Sequence, residues 1–153
     1  MFPSLSVENE KLKGRVKKAM VTRSIKPYFP AIIWLIIILV LSGYPGNQLP
    51  KVAVWQFDKL VHVIMYSILS FLLFLPFCKQ FLNIGKRFRI RLIIILVSIS
   101  YGGLMEILQE TIFINRGGNW IDFTANTVGA IFGVSFAPLV LKYLPINRWL
   151  RIK

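Results

Sequence analysis

The chain has 153 residues, room for one domain, and is 56% hydrophobic with a mean hydropathy of +0.63. Its apolar residues come in long uninterrupted runs rather than amphipathic stripes, which excludes an ordinary soluble domain and places it among membrane proteins. The formal net charge of +13 lies in blocks between those runs, so topology accounts for it and no nucleic-acid partner is expected.

Residues 1–27 carry Lys11, Lys13, Arg15, Lys17, Lys18, Arg23 and Lys26 against only Glu8 and Glu10. This composition predicts a basic cytoplasmic tail whose partner is anionic membrane lipid. A cleavable signal is not expected, because a long polar stretch precedes the first apolar run and no small-residue cleavage pattern follows it.

A membrane domain is expected over 28–144, with spans at about 28–43, 58–77, 92–114 and 121–141. The first, about 16 residues, is short for roughly 30 Å of hydrocarbon, so tilt, thinning or anchoring by Tyr28 and Tyr44 is implied. Pro45, Gly46 and Pro50 make the next segment a turn-rich loop. Pro76 and the basic Lys79, Lys86, Arg87, Arg89 and Arg91 close the second span. The Arg116-Gly117-Gly118-Asn119 turn joins the third to the fourth, and a basic cytoplasmic tail, 145–153, ends the chain. The single cysteine, Cys78, excludes an intramolecular disulfide and reads as a bystander.

Lys and Arg concentrate in the two tails and the 78–91 loop, whereas the 44–57 and 114–120 loops hold only Lys51 and Arg116. The prediction is an all-α, four-helix transmembrane bundle with both termini cytoplasmic, multi-pass in the bacterial cytoplasmic membrane. Every acidic residue beyond the N-terminal tail then falls in the outer half: Asp58, Glu106, Glu110 and Asp122.

Polar residues recur at helical spacing on three spans. Asp58, His62, Tyr66 and Ser70 follow one another every four residues on the second. Glu106 and Glu110 do so on the third, with Gln109 between them and Glu106 on the order of 12 Å below the outer helix end. Asp122, Asn126, Gly129 and Gly133 share a face on the fourth. Packed as a bundle, these stripes would converge on one outward-opening pocket between spans two, three and four. Gly129 and Gly133 form a GxxxG that admits close approach of a neighbouring helix, the third span or a second copy of the chain.

These motifs, namely LSGYPG after the first span, FDKLVHVIMYSIL with its D-K-x-x-H-x-x-x-Y pattern, ExxQ at Glu106 and Gln109, and Arg116 followed by Asp122, Asn126 and Gly129, resemble the VanZ-like family of small bacterial membrane proteins. The resemblance covers about residues 35–135. It implies that Asp58, Lys59, His62, Tyr66, Glu106, Gln109, Arg116, Asp122 and Asn126 are signature positions. The family's namesake is linked to low-level teicoplanin resistance, and the resemblance supplies no mechanism.

Read from their own chemistry, these residues keep more than one role open. Asp58 caps the second span or serves the pocket. Asp122 completes an Asn119-x-x-Asp122 variant capping box or serves the pocket. His62, the single histidine, is a buried hydrogen-bonding group, a proton carrier or a metal ligand; its spacing to the carboxylates has no diagnostic signature, so neither metal nor cofactor is expected. Glu106 lies too deep to cap and must be protonated, paired with His62 or Lys59, or solvated in a pocket. Arg116 pairs with Asp122, or with Gly117 and Gly118 forms an anion site before a helix N-terminus.

The expected function is binding or modification of an outer-leaflet envelope amphiphile, such as a lipid-linked precursor or a glycopeptide. Asp58, Lys59, Tyr66, Gln109, Arg116 and Asn126 would bind it, with His62, Glu106 and Asp122 available for acid–base chemistry. No nucleophile elbow is present, and enzymatic activity is left open. A proton-coupled transporter component and a structural partner of an envelope complex are the alternatives.

Overall fold

The computed structural model describes residues 26–44, 55–114 and 117–143, and all regular structure among them is helical. The tails beyond these limits, the 45–54 loop and Arg116 lie outside the described residues. A 3-10 turn, Lys26–Tyr28, leads into α1, Phe29–Ser42. Then come α2, Trp55–Phe74, a 3-10 turn at Leu75–Phe77, and the short α3, Cys78–Phe81. The last two helices are α4, Ile84–Thr111, and α5, Trp120–Tyr143.

Among the described residues, three stretches are long and apolar enough to cross a membrane: Asp58–Phe81, Ile84–Thr111 and Trp120–Tyr143. With 14 residues, α1 is an apolar helix about 21 Å long at 1.5 Å per residue. The outward faces of the bundle are apolar, with Ile32, Ile36 and Val40 on α1, Leu92 and Leu96 on α4, and Val128, Phe132 and Phe136 on α5 all exposed. Contiguous apolar surface of this kind is at home in hydrocarbon rather than water.

Two helix starts lie earlier than hydropathy indicates. The first turn of α2 begins at Trp55, and α4 begins at Ile84 rather than near Leu92. Hydropathy marks what enters lipid, whereas Lys and Arg are good helix formers that let the helix continue beyond it. The Asn83 side chain caps α4 by accepting the Gly85 N–H at 3.1 Å. Arg87 donates its Nε–H to the Phe81 carbonyl at 3.0 Å, and Arg87 and Arg91 lie 5.4 and 5.2 Å from the Phe81 ring centroid. The basic segment is therefore folded back on α3 and extends α4 as helix.

Packing is closest between α2 and α5, and small residues make it so. Ala125, Gly129, Gly133 and Ala137 recur every four residues on the buried face of α5. A Cβ at Gly129 would collide with the Val63 carbonyl oxygen, and one at Gly133 with that of Ser67. Ser67 fastens the contact by donating to the Gly129 carbonyl at 3.1 Å. The GxxxG face is thus filled by α2 of the same chain, while Gly102 on α4 lies against Asn126 of α5.

Contacts between helix ends set the direction of the bundle. Gln109 near the end of α4 reaches the Ser42 carbonyl at the end of α1; Lys59 at the start of α2 pairs with Asp122 at the start of α5. Asp58, Glu106, Glu110 and Asp122, all the described acidic residues, gather at that end. Lys79, Lys86, Arg87, Arg89, Arg91 and Lys142 belong to the opposite one.

Candidate functional site: a polar network beside a lateral groove

Glu106 and Asn126 are the centre of the acidic end. Both are buried, Asn126 to within 1% of full burial, and Asn126 donates Nδ2–H to Glu106 Oε1 at 3.2 Å. Its carbonyl oxygen then faces His62 Nδ1 at 2.9 Å, which requires that ring nitrogen to carry the proton and donate. His62 Nε2 points the other way, 3.9 Å from Asp58 Oδ1. Three helices are joined in one chain of contacts: α2 through His62, α5 through Asn126, α4 through Glu106.

The second oxygen of Glu106 accepts the backbone N–H of Asn119 at 2.9 Å. In a capping box that N–H would go to Asp122 and the Asn119 side chain would accept the Asp122 N–H; here the Asn119 side chain caps the helix by accepting the Ile121 N–H at 3.0 Å instead, and neither bond of the box forms. Asp122 instead pairs with Lys59, whose ammonium also meets Asp58 at 3.2 Å. Asp58 lies within the first turn of α2 and not at its cap. Glu106 is partnered not by Lys59 or His62 but by Asn126 and the loop amide, which reach the carboxylate from both sides.

The remaining residues singled out by their spacing play other parts. Gln109 is buried and donates to the Ser42 carbonyl at 3.4 Å, holding α4 to the end of α1. Tyr66 is 1% exposed, packs against Gly102, and its hydroxyl has no hydrogen-bond partner among the described residues. Besides the Ser67 bond, two aromatic cross-helix bonds have no forewarning in the polar stripes: Trp34 Nε1–H to the Met65 carbonyl at 2.9 Å, and the Tyr101 hydroxyl to the Leu35 carbonyl at 2.7 Å. Their only sequence signal is an amphipathic aromatic within an apolar run.

Asp58, His62 and Asp122 offer ligand atoms within 4.8 Å of one another, the donor set that a divalent metal would use. The Lys59 ammonium already binds both carboxylates of that set, so a metal ion and the lysine compete for the same oxygens.

The cavity at this end is displaced from where the polar stripes predict it. It is a half-open groove of about 530 Å³ between α4 and α5, lined by Gly103, Glu106, Ile107, Glu110, Gly118, Asn119, Trp120 and Phe123. Of the His62–Asn126–Glu106 chain, only Glu106 reaches it, while His62 and Asn126 stay behind in the helix interface. Gly103 is the reason for the location: without a side chain there, α4 leaves space in front of the Phe123 ring, 3.4 Å from where a Cβ would stand. Glu110 closes the upper edge, accepting the Gly118 N–H at 2.8 Å. The groove thus runs from apolar walls at Gly103, Ile107 and Phe123 to a carboxylate-bearing end.

Comparison of the chain with protein-family models, with curated proteins and with solved structures yields no match.

Proposed function

We propose that this chain is a VanZ-like, four-span protein of the bacterial cytoplasmic membrane, with both termini cytoplasmic, that binds an envelope amphiphile at its outer end. The observation that carries this reading is the groove. Its volume of about 530 Å³ is in the range of small-molecule sites, and it has the graded lining that an amphiphile needs. An alkyl portion would lie along Gly103, Ile107 and Phe123, exposed sideways toward lipid, and the headgroup would sit beside Glu106 and Glu110. The four-span topology rests on the segregation of acidic and basic residues to opposite ends, with α1 as a short first span.

Binding is favoured over catalysis because the hydrogen-bonding atoms of Glu106 are occupied by Asn126 and Asn119, and His62 is not among the groove residues. A proton path is disfavoured by the Asn126 side chain interposed between His62 and Glu106, since a carboxamide does not pass protons on as a hydroxyl or water does. By the family resemblance, the biological output of binding is protection against teicoplanin-type glycopeptides.

The test is teicoplanin susceptibility in a host expressing wild type or Gly103→Trp, which fills the groove, at matched membrane level and thermal stability. Protection by wild type and its loss in the folded variant is the expected result. Equal protection by both would move the function to another surface, and no protection by wild type would remove the glycopeptide reading.

A further inference from the structure

We infer that the headgroup recognised in the groove is cationic, an amine or quaternary ammonium on a single-chain amphiphile; this rests on the amphiphile reading above and adds the charge of its ligand. A Gly-Gly turn before a helix N-terminus ordinarily offers its free amides to an anion. Here those amides are already spent on the protein's own carboxylates: Gly118 N–H on Glu110, Asn119 N–H on Glu106, and Ile121 N–H on the Asn119 side chain. The loop has no room to turn them outward against α4, because a Cβ at Gly118 would stand only 2.6 Å from the Glu106 carbonyl oxygen.

The charge balance of the described lining points the same way. Glu106 and Glu110 are its only ionisable side chains. Lys59, on the other side of the network, directs its ammonium to Asp122 and Asp58 rather than into the groove. One Glu110 oxygen holds Gly118, and the other has no hydrogen-bond partner among the described residues and is open at the groove edge. An entering anion would meet two carboxylates at close range in surroundings of reduced dielectric, whereas an ammonium would complete the pair.

The aromatic rim supplies the rest of a cation site. Trp120 is 83% exposed at the groove mouth and stands edge-on to Phe123, centroids 6.1 Å apart. Indole faces attract ammonium groups, quaternary ones included. From Glu110 to Gly103 the groove follows α4 for about 10 Å, at 1.5 Å per residue, so a ligand with its cation at Glu110 lays one alkyl segment over Ile107 toward Gly103.

The experiment uses the full chain in non-ionic maltoside micelles, with dodecyltrimethylammonium and dodecyl phosphate as competing probes against a fluorescent alkylamine. The alkylammonium is expected to bind at least tenfold more tightly than the phosphate, to weaken about tenfold in Glu110→Gln, and to weaken in Trp120→Leu. Lys142→Ala, exposed at the opposite end of the bundle, is the control and is expected to leave alkylammonium binding unchanged. Tighter binding of the phosphate, with gain in Glu110→Gln, would overturn the cationic headgroup and leave the amphiphile reading standing. Absence of binding by either probe, with no difference between wild type and Gly103→Trp, would overturn both. Mass spectrometry of amphiphile released from the purified protein separates the two sources, an amine-bearing membrane lipid or an added glycopeptide; release of anionic lipid alone contradicts the inference.

Discussion

The Glu106 carboxylate on α4 accepts the backbone N–H of Asn119 at 2.9 Å, so a buried acid holds the residue that caps the next helix. Its other oxygen receives Asn126 from within that helix. The two bonds fix how the α4–α5 turn sits on α4, and with it the shape of the groove. Glu106→Gln keeps one acceptor for two donors, and Glu106→Ala keeps none. Leaving a buried donor unpaired costs about 1–3 kcal/mol, so the alanine variant should lose roughly twice the stability of the glutamine variant in thermal or denaturant unfolding. Equal losses would show that the two bonds do not act separately.

The Lys59–Asp122 pair is largely enclosed, with side-chain exposures of 15% and 10%. Removing Lys59 strands the enclosed Asp122, at about 3–5 kcal/mol for a buried pair, whereas removing Asp122 leaves Lys59 its pair with Asp58. Lys59→Met should therefore be strongly destabilising and Asp122→Leu less so, while the double variant recovers much of the Lys59→Met loss. A double-mutant cycle checks this, and simple additivity would argue that the pair is not coupled.

Glycines on α4 and α5 should differ in tolerance. Gly133→Ala forces a Cβ into the Ser67 backbone, which cannot move aside as a side chain would, and a cost of about 1–3 kcal/mol is expected from overpacking. Gly103→Ala meets only the edge of Phe123 at ordinary contact distance and should be near neutral in stability while narrowing the groove. Unfolding of both variants in one detergent checks the contrast.

Tyr66 is enclosed with its hydroxyl unpaired among the described residues, so Tyr66→Phe should retain full stability or gain slightly, because no bond is lost and no polar group is left buried. A loss above about 2 kcal/mol would mean that the hydroxyl makes a strong bond in the membrane-embedded protein.

The apolar runs and helical spacing make the long helices legible, and they bring His62, Asn126 and Glu106 to one depth. They do not reveal which polar group takes which partner. Asp122 reads as half of a capping box, yet Lys59 on another helix competes for its carboxylate and Glu106 takes over the Asn119 amide. The start of α4 is missed because lipid entry, not helix formation, ends at the basic residues. The groove is missed because its lining alternates between residues that look like lipid-facing surface, Ile107 and Trp120, and a glycine whose missing side chain leaves the space. Gly129 and Gly133 announce close packing, but α2 fills it, and self-association through the same face would require that packing to open.

The most direct test of the account is the amphiphile that stays with the protein. Wild type and Gly103→Trp, purified from the same membranes in the same detergent, would be compared by native mass spectrometry. Wild type is expected to retain an amphiphile that is absent from a folded Gly103→Trp protein. The same amphiphile, at the same occupancy on both, would contradict the claim that the α4–α5 groove is the binding site.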